Sequence, residues 1–218
     1  VDLLYGGEIM IDFPVSTIVH RRLPKEAFYK HLQLSTALKS RFVSDVGEIS
    51  VVNSLTKKNL NLEKETDTKE ILLLSIILKK RAFDGKILEV IARQNPHKLV
   101  FLLSYEQEVR LAVYHKKLYY SAWMPEDDIE LTLSGETLDA IWDDLVRQIA
   151  LHSPSVEQRT ESLEQQLKDQ DEIDRLNKLI KKTEAAAWKE VQPKKRFAIY
   201  TRLQEYKQKL EELTHGEA

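Results

Sequence analysis

Two kinds of hydrophobic spacing divide this chain. Up to about residue 150, short apolar runs alternate with stretches of helical period, and beyond it only steps of three and four recur. From Pro14 onward the pattern reads as helical. Pro24 suits a first helical position, because its missing N–H has no partner there in any case, and Ala27, Phe28, His31 and Leu32 follow at helical spacing. The spacing predicts a helix over 24–32. Ser35 is the expected N-cap of a second helix, with Leu38, Phe42, Val43 and Val46 on one side and Gly47 as its stop. Residues 1–9 precede Met10 without a period of their own, and the expectation is that the natural chain begins at Met10.

Strand patterns come next. Branched residues in rough alternation over 49–55 predict a strand, and the polar stretch 56–69 a loop with a brief extended piece at Leu60 and Leu62. The nearly unbroken apolar runs 71–78 and 99–105 read as strands covered on both faces. Between them Ile87, Leu88, Val90 and Ile91 predict a helix over 86–94, ended by Asn95-Pro96. Runs 109–114 and 117–123 follow after tight turns and complete a meander. Residues 129–133 read as an edge strand before Gly135, and 137–151 as a closing helix with Leu138, Ile141, Leu145, Val146 and Ile149 on its apolar side. The expected fold class is α+β: a mixed or antiparallel sheet over residues 10–152 with helices mainly on one face.

Residues 156–214 are a different material, rich in Glu, Lys, Gln and Leu. Ile173, Leu176 and Ile180 step at helical spacing, as do Ile199, Leu203, Tyr206, Leu210 and Leu213, so each half carries a narrow apolar seam of the coiled-coil kind. Pro193 lies between the halves, where a continuous helix would lose about 3 kcal/mol, so a break is expected near 191–194. An isolated helix with so thin a seam is marginal in water and needs a partner. Three are open: the other half as a hairpin, the same segment of a second copy, or another protein.

Composition narrows the function classes. Over 218 residues, 42% hydrophobic positions fill a core, while 31% charged ones point to exposed helix. Acidic and basic residues nearly cancel at a net charge of −2, which excludes a globally basic nucleic-acid coat. With no cysteine there is no disulfide, thiolate metal site or cysteine nucleophile, and a cytoplasmic setting is expected.

Candidate chemistry is sparse. No two of the six histidines share a helix face, no Gly-rich phosphate loop exists, and no serine sits in a nucleophile elbow, so no metal, cofactor or catalytic residue is assigned. A restriction-type nuclease would need an acid two residues before a strand lysine to hold Mg²⁺. Glu70 opens a strand and Lys79 ends it, but the position in question is Ile77. The acidic run Glu126-Asp127-Asp128 reads as a polar turn. For nucleic acid, Arg21, Arg22, Lys25, Lys30, Lys39 and Arg41 stand against Glu26 alone between 20 and 41, and Lys194-Lys195-Arg196 forms a second cluster; neither comes with an aromatic motif for base stacking. Trp123 and Trp142 read as structural, whereas Trp188, beside three alanines, is a candidate anchor for a partner surface.

Phe13-Pro14, Arg22-Leu23-Pro24-Lys25, Phe28-Tyr29, the apolar strand at Ile71, Tyr120 with Trp123, Leu133-Ser134-Gly135 and Lys189-Glu190-Val191-Gln192 with Lys195 follow in an order that resembles the bacterial domain of unknown function family 4391, from about Met10 to Leu213. The resemblance implies no activity. It does imply a setting, since genes of this family lie beside DNA methyltransferases and helicase-like restriction subunits. The expectation is therefore a non-catalytic adaptor of a restriction-modification or anti-phage system. Its helical tail would hold a protein partner, either a second copy or a methyltransferase or helicase subunit, and DNA is a further candidate partner. A divergent Mg²⁺-dependent nuclease and a sequence-independent nucleic-acid binder are the alternatives.

Overall fold

The computed structural model describes residues 11–26, 28, 32–152, 156 and 160–215. The chain divides after Ala150 into two compact units. In the first unit the strands are β1 (Ile18–Arg22), β2 (Val46–Thr56), β3 (Glu70–Leu78), β4 (Lys98–Tyr105), β5 (Glu108–His115), β6 (Lys117–Tyr120) and β7 (Met124–Pro125). The helices are α1 (Thr36–Asp45), α2 (Lys86–Gln94) and α3 (Leu138–Ala150). The strands form one mixed sheet in the order β1 to β6, with β7 beside β5, so the class is α+β. Neighbours are antiparallel except β3 and β4, which run parallel because α2 carries the chain back between them.

That crossover explains the two apolar runs. On one face Leu74, Ile76, Phe101 and Leu103 pack with Phe42 of α1 and Ile87, Leu88 and Ile91 of α2. The alternate residues Leu73, Val100 and Leu102 are also buried, and α3, which packs on β3, β5 and β6, closes the second face with Ile141, Leu145 and Ile149. α1 and α2 thus share one face. Each such fully buried side chain stabilises the fold by about 1.5–3 kcal/mol.

Several elements differ from the sequence reading. The stretch after Pro14 is a short 3₁₀ turn and then strand β1, whose residues are largely exposed and therefore show no alternation. Lys25, Glu26 and Phe28 are helical, but 27 and 29–31 of the expected helix 24–32 lie outside the described residues, as do Met10 and everything before it. Strand β2 begins at Val46, directly after α1, and Gly47 is inside it rather than a helix stop. The register shifts there, and a Cβ on Gly47 would come within 3.0 Å of the Ile77 carbonyl oxygen, so glycine permits a close approach of β2 to β3. Strand β2 includes Thr56, and residues 57–69 are turn and loop, with no strand at Leu60 or Leu62. Nor do 129–133 form a strand: the Gln148 side chain of α3 accepts from the Thr132 N–H (3.0 Å) and donates to its carbonyl (3.0 Å), taking the place of a neighbouring strand. β6 stops at Tyr120, three residues before the expected end at Trp123, because Ser121 Oγ accepts from Leu111 N (2.9 Å) and diverts the ladder.

The second unit is a helical hairpin of α4 (Leu163–Lys189) and α5 (Pro193–His215), which pack against each other. Ser162 caps α4 by accepting from Gln165 N at 3.3 Å. Three residues, 190–192, reverse the chain, and Pro193 opens α5, where its missing N–H is harmless. Glu184 and Lys207 pair across the hairpin at 2.9 Å. Ile173, Leu176, Ala187 and Leu203 are buried, while Ile180, Ile199, Tyr206, Leu210 and Leu213 are half-buried. Of the three partners open to the seams, the structure has each seam cover the other.

Gly135 offers a direct test of the first unit. Its φ is +141°, and a Cβ there would lie 2.9 Å from both the Ile141 nitrogen and the Ala140 Cβ. Gly135→Ala is expected to cost about 1–3 kcal/mol. Urea unfolding reads this as a lowered midpoint, and an unchanged midpoint would contradict the assigned backbone.

Candidate functional site

A cleft of about 590 Å³ opens where β3 and β4 begin. Several of its polar groups engage each other, while the buried Trp142 Nε1 has no hydrogen-bond partner among the described residues. His97 Nε2 lies 3.3 Å from a Glu70 oxygen whose partner oxygen accepts from Ser54 Oγ, and the Lys98 ammonium lies over the Trp142 ring at 5.3 Å. Asp139 Oδ1 accepts from Thr68 N at 3.1 Å. Hydrogen bonds from Thr68, side chain first and then backbone, hold the Asp139 carboxyl below the usual carboxylate range despite partial burial. No nucleophile with an adjacent base is found among these groups. Glu70 and Lys79 lie at and beyond opposite ends of β3, on the order of 25–30 Å apart for nine strand residues. Lys79 donates to the Val43 carbonyl at 2.8 Å. Among the described residues no three His, Asp or Glu side chains gather as metal ligands.

At the other end of β3 a charged cluster ties three elements together, and the sequence did not point to it. Asp45, only 2% exposed, pairs with Lys80 Nζ at 2.6 Å and accepts from Asp84 N at 3.3 Å, while Asp84 in turn binds Arg41 at 2.7 Å. Burial alone would raise the Asp45 carboxyl, but hydrogen bonds from Lys80, Ser44 and the Asp84 N–H outweigh it and hold the group below its ordinary value.

The candidate nucleic-acid residues of the first unit are partly spent on such bonds. Arg22 reaches Glu48 at 3.0 Å, Arg41 holds Asp84, and Lys25 Nζ donates to the Val46 carbonyl. Burial, then the cations of Lys79 and Arg22, lower the Lys25 ammonium, so Arg22, Lys25 and Lys79 do share one region. Arg21 on β1 and Lys39 on α1 are exposed, and Lys30 lies outside the described residues.

The second cluster has a different setting. Lys194, Lys195 and Arg196 form the first turn of α5 and are exposed. Arg196 is used by the fold: its Nε and Nη2 donate to the Glu190 carbonyl at 2.8 and 2.6 Å and clamp the reversal. Lys194 and Lys195 have no ion-pair partner among the described residues. Around them stand four large apolar side chains in water: Trp188 at 85% exposure, Val191 at 82%, Phe197 at 74% and Tyr200 at 44%. The sequence shows no aromatic-rich motif beside this cluster, yet three exposed rings stand near it in the fold. The rings come from two helices and from positions off the Ile199–Leu203–Tyr206 seam, so no contiguous motif announces them. Large aromatics that miss the seam were the available signal.

One family model, the domain of unknown function DUF4391, matches residues 11–210. The chain belongs to the DUF4391 family. No curated protein and no solved structure matches it. Several residues that carry the DUF4391 resemblance prove to be structural. Phe13 is buried, and the Arg110 guanidinium stacks on Tyr120 at 4.2 Å and on Trp123 at 5.4 Å. Burial lowers the Arg110 pKa. Lys189, Glu190, Val191, Gln192 and Lys195, by contrast, belong to the exposed end of the hairpin.

For Asp45 the pH dependence has a definite sign. Its depressed value stabilises the fold fully above the unfolded pKa of about 3.9, and that contribution disappears as pH falls through the lower folded value. Asp45→Asn is expected to lower stability by about 1–3 kcal/mol near neutrality and to flatten the acid limb. Urea midpoints between about pH 7 and 2.5 check this; parallel curves for the two proteins would refute it.

Proposed function

We propose that the chain is a non-catalytic accessory protein that acts by association, with the turn end of the α4–α5 hairpin as its docking surface. The observation that carries this reading is the exposure of Trp188, Val191, Phe197 and Tyr200 at one end of a hairpin whose seam residues are buried or half-buried. Folding does not require those side chains there. Large exposed apolar groups cost solubility, and grouped in this way they mark contact sites. Trp, Tyr and Arg are also the residues that dominate binding energy at interfaces.

The family resemblance supports a setting among DNA methyltransferases and helicase-like subunits, in restriction-modification or anti-phage defence and in the cytoplasm. No helix of the described residues is long and apolar enough to cross a membrane. The first unit serves as a scaffold, in keeping with the absence of a nucleophile–base pair or a metal-ligand cluster among its described residues.

The reading is tested with Trp188→Ala plus Phe197→Ala in the full chain, purified from its native host. Both side chains are exposed, so the thermal midpoint is expected to stay within about 2 °C, surface changes being worth roughly 0.5 kcal/mol or less. The co-purifying component is expected to be lost. Retention of that component at wild-type levels would overturn the proposal.

A further inference from the structure

The chemistry of the hairpin end identifies what it holds. Between residues 181 and 202 the chain carries seven Lys and Arg side chains against Glu184 and Glu190. Both acids are occupied, Glu184 with Lys207 and Glu190 with the Gln192 N–H at 2.9 Å. The surface therefore presents uncompensated positive charge, which repels a second copy of itself and attracts an anion.

Its apolar members narrow the choice further. Three of the four are aromatic, and cations lie among them in the chain: Lys189 between Trp188 and Val191, and Lys194 and Lys195 shortly before Phe197 and Tyr200. A partner helix would ask for a continuous apolar ridge at steps of three and four, of the kind the seam already has. Flat rings grouped with ammonium groups instead match a chain that itself joins flat apolar bases through phosphates. In a duplex the base faces are stacked away, so exposed rings have nothing to meet.

We propose that this end of the hairpin binds single-stranded nucleic acid without sequence preference, Trp188, Phe197 and Tyr200 stacking on bases while Lys189, Lys194 and Lys195 contact the flanking phosphates. The proposal rests on the docking reading above and specifies its occupant. Arg196 is a positioning residue, holding the reversal through Glu190.

The probe is a fluorescein-labelled oligothymidine of about 20 nucleotides, titrated with the full chain and followed by anisotropy. Binding is expected to weaken about tenfold or more between about 50 and 200 mM salt. Trp188→Ala plus Phe197→Ala is expected to weaken it at least about tenfold with the salt slope kept. Lys194→Gln plus Lys195→Gln is expected to flatten the slope. Failure to bind the oligomer overturns the inference, as does equal affinity for the corresponding duplex or indifference to the aromatic pair. A photo-crosslinking residue, Val191→p-benzoylphenylalanine, used in the native host, separates the two levels. A nucleic-acid adduct supports both proposals, a protein adduct sinks this one and leaves the docking surface standing, and no adduct sinks both.

Discussion

A seam two residues wide can be saturated by one neighbour, and this constraint decides how the second unit is read. α4 and α5 each carry such a seam, and each covers the other: Ile173, Leu176, Ala187 and Leu203 leave water without help from a further chain. Apolar side chains still in water after the seams close therefore cannot be explained as unfinished core. They are confined to the end where the chain reverses, and there they sit among cations that the fold leaves unpaired.

The first unit gives the contrasting case. A parallel β3–β4 pair forces a helical crossover and cover on both faces, and the same economy extends to its charges. Asp45 with Lys80, Asp84 with Arg41 and Glu48 with Arg22 stitch the ends of β2 and β3 to α1 and to the approach to α2. The basic stretch of residues 20–41 looks like a binding face in the sequence because charge can be counted there while pairing cannot. Once partners are assigned, Arg22, Lys25 and Arg41 are each bonded within the fold. Lys194 and Lys195 are fewer, but their charge remains available.

What the sequence made legible follows from which residues meet two constraints at once. β3 and β4 were plain because strands buried on both faces leave continuous apolar runs, and Pro193 marked the reversal because a proline fits the first turn of α5 and not a helix interior. β1 was not, since an exposed edge strand such as Val19-His20-Arg21-Arg22, with His20 at a φ of +43°, has no side to alternate. Gly47 misled because the same residue type ends helices and lets strands approach closely; only the Ile77 carbonyl opposite it tells the two apart. The Asp45 cluster was hidden for a third reason. Its members are far apart in sequence, and nothing local distinguishes a buried aspartate from a solvated one.

The exposed end of the hairpin escaped for a related reason and gains its force from how it is built. Trp188 belongs to the last turn of α4, and Phe197 and Tyr200 to the opening turns of α5, so each stands on a helix and not on a free loop. The loop between them is short and braced: the Arg196 guanidinium and the Gln192 N–H both bond to Glu190, and Pro193 has its φ fixed by its ring. A surface so held loses little further freedom when something binds, and ordering is one of the main costs of association. Rigid display also fixes the spacing between rings and ammonium groups, which a flexible tail of the same composition would not do. The composition of this segment gives it charge and apolar area, and the braced reversal converts the two into a pattern that a ligand can match.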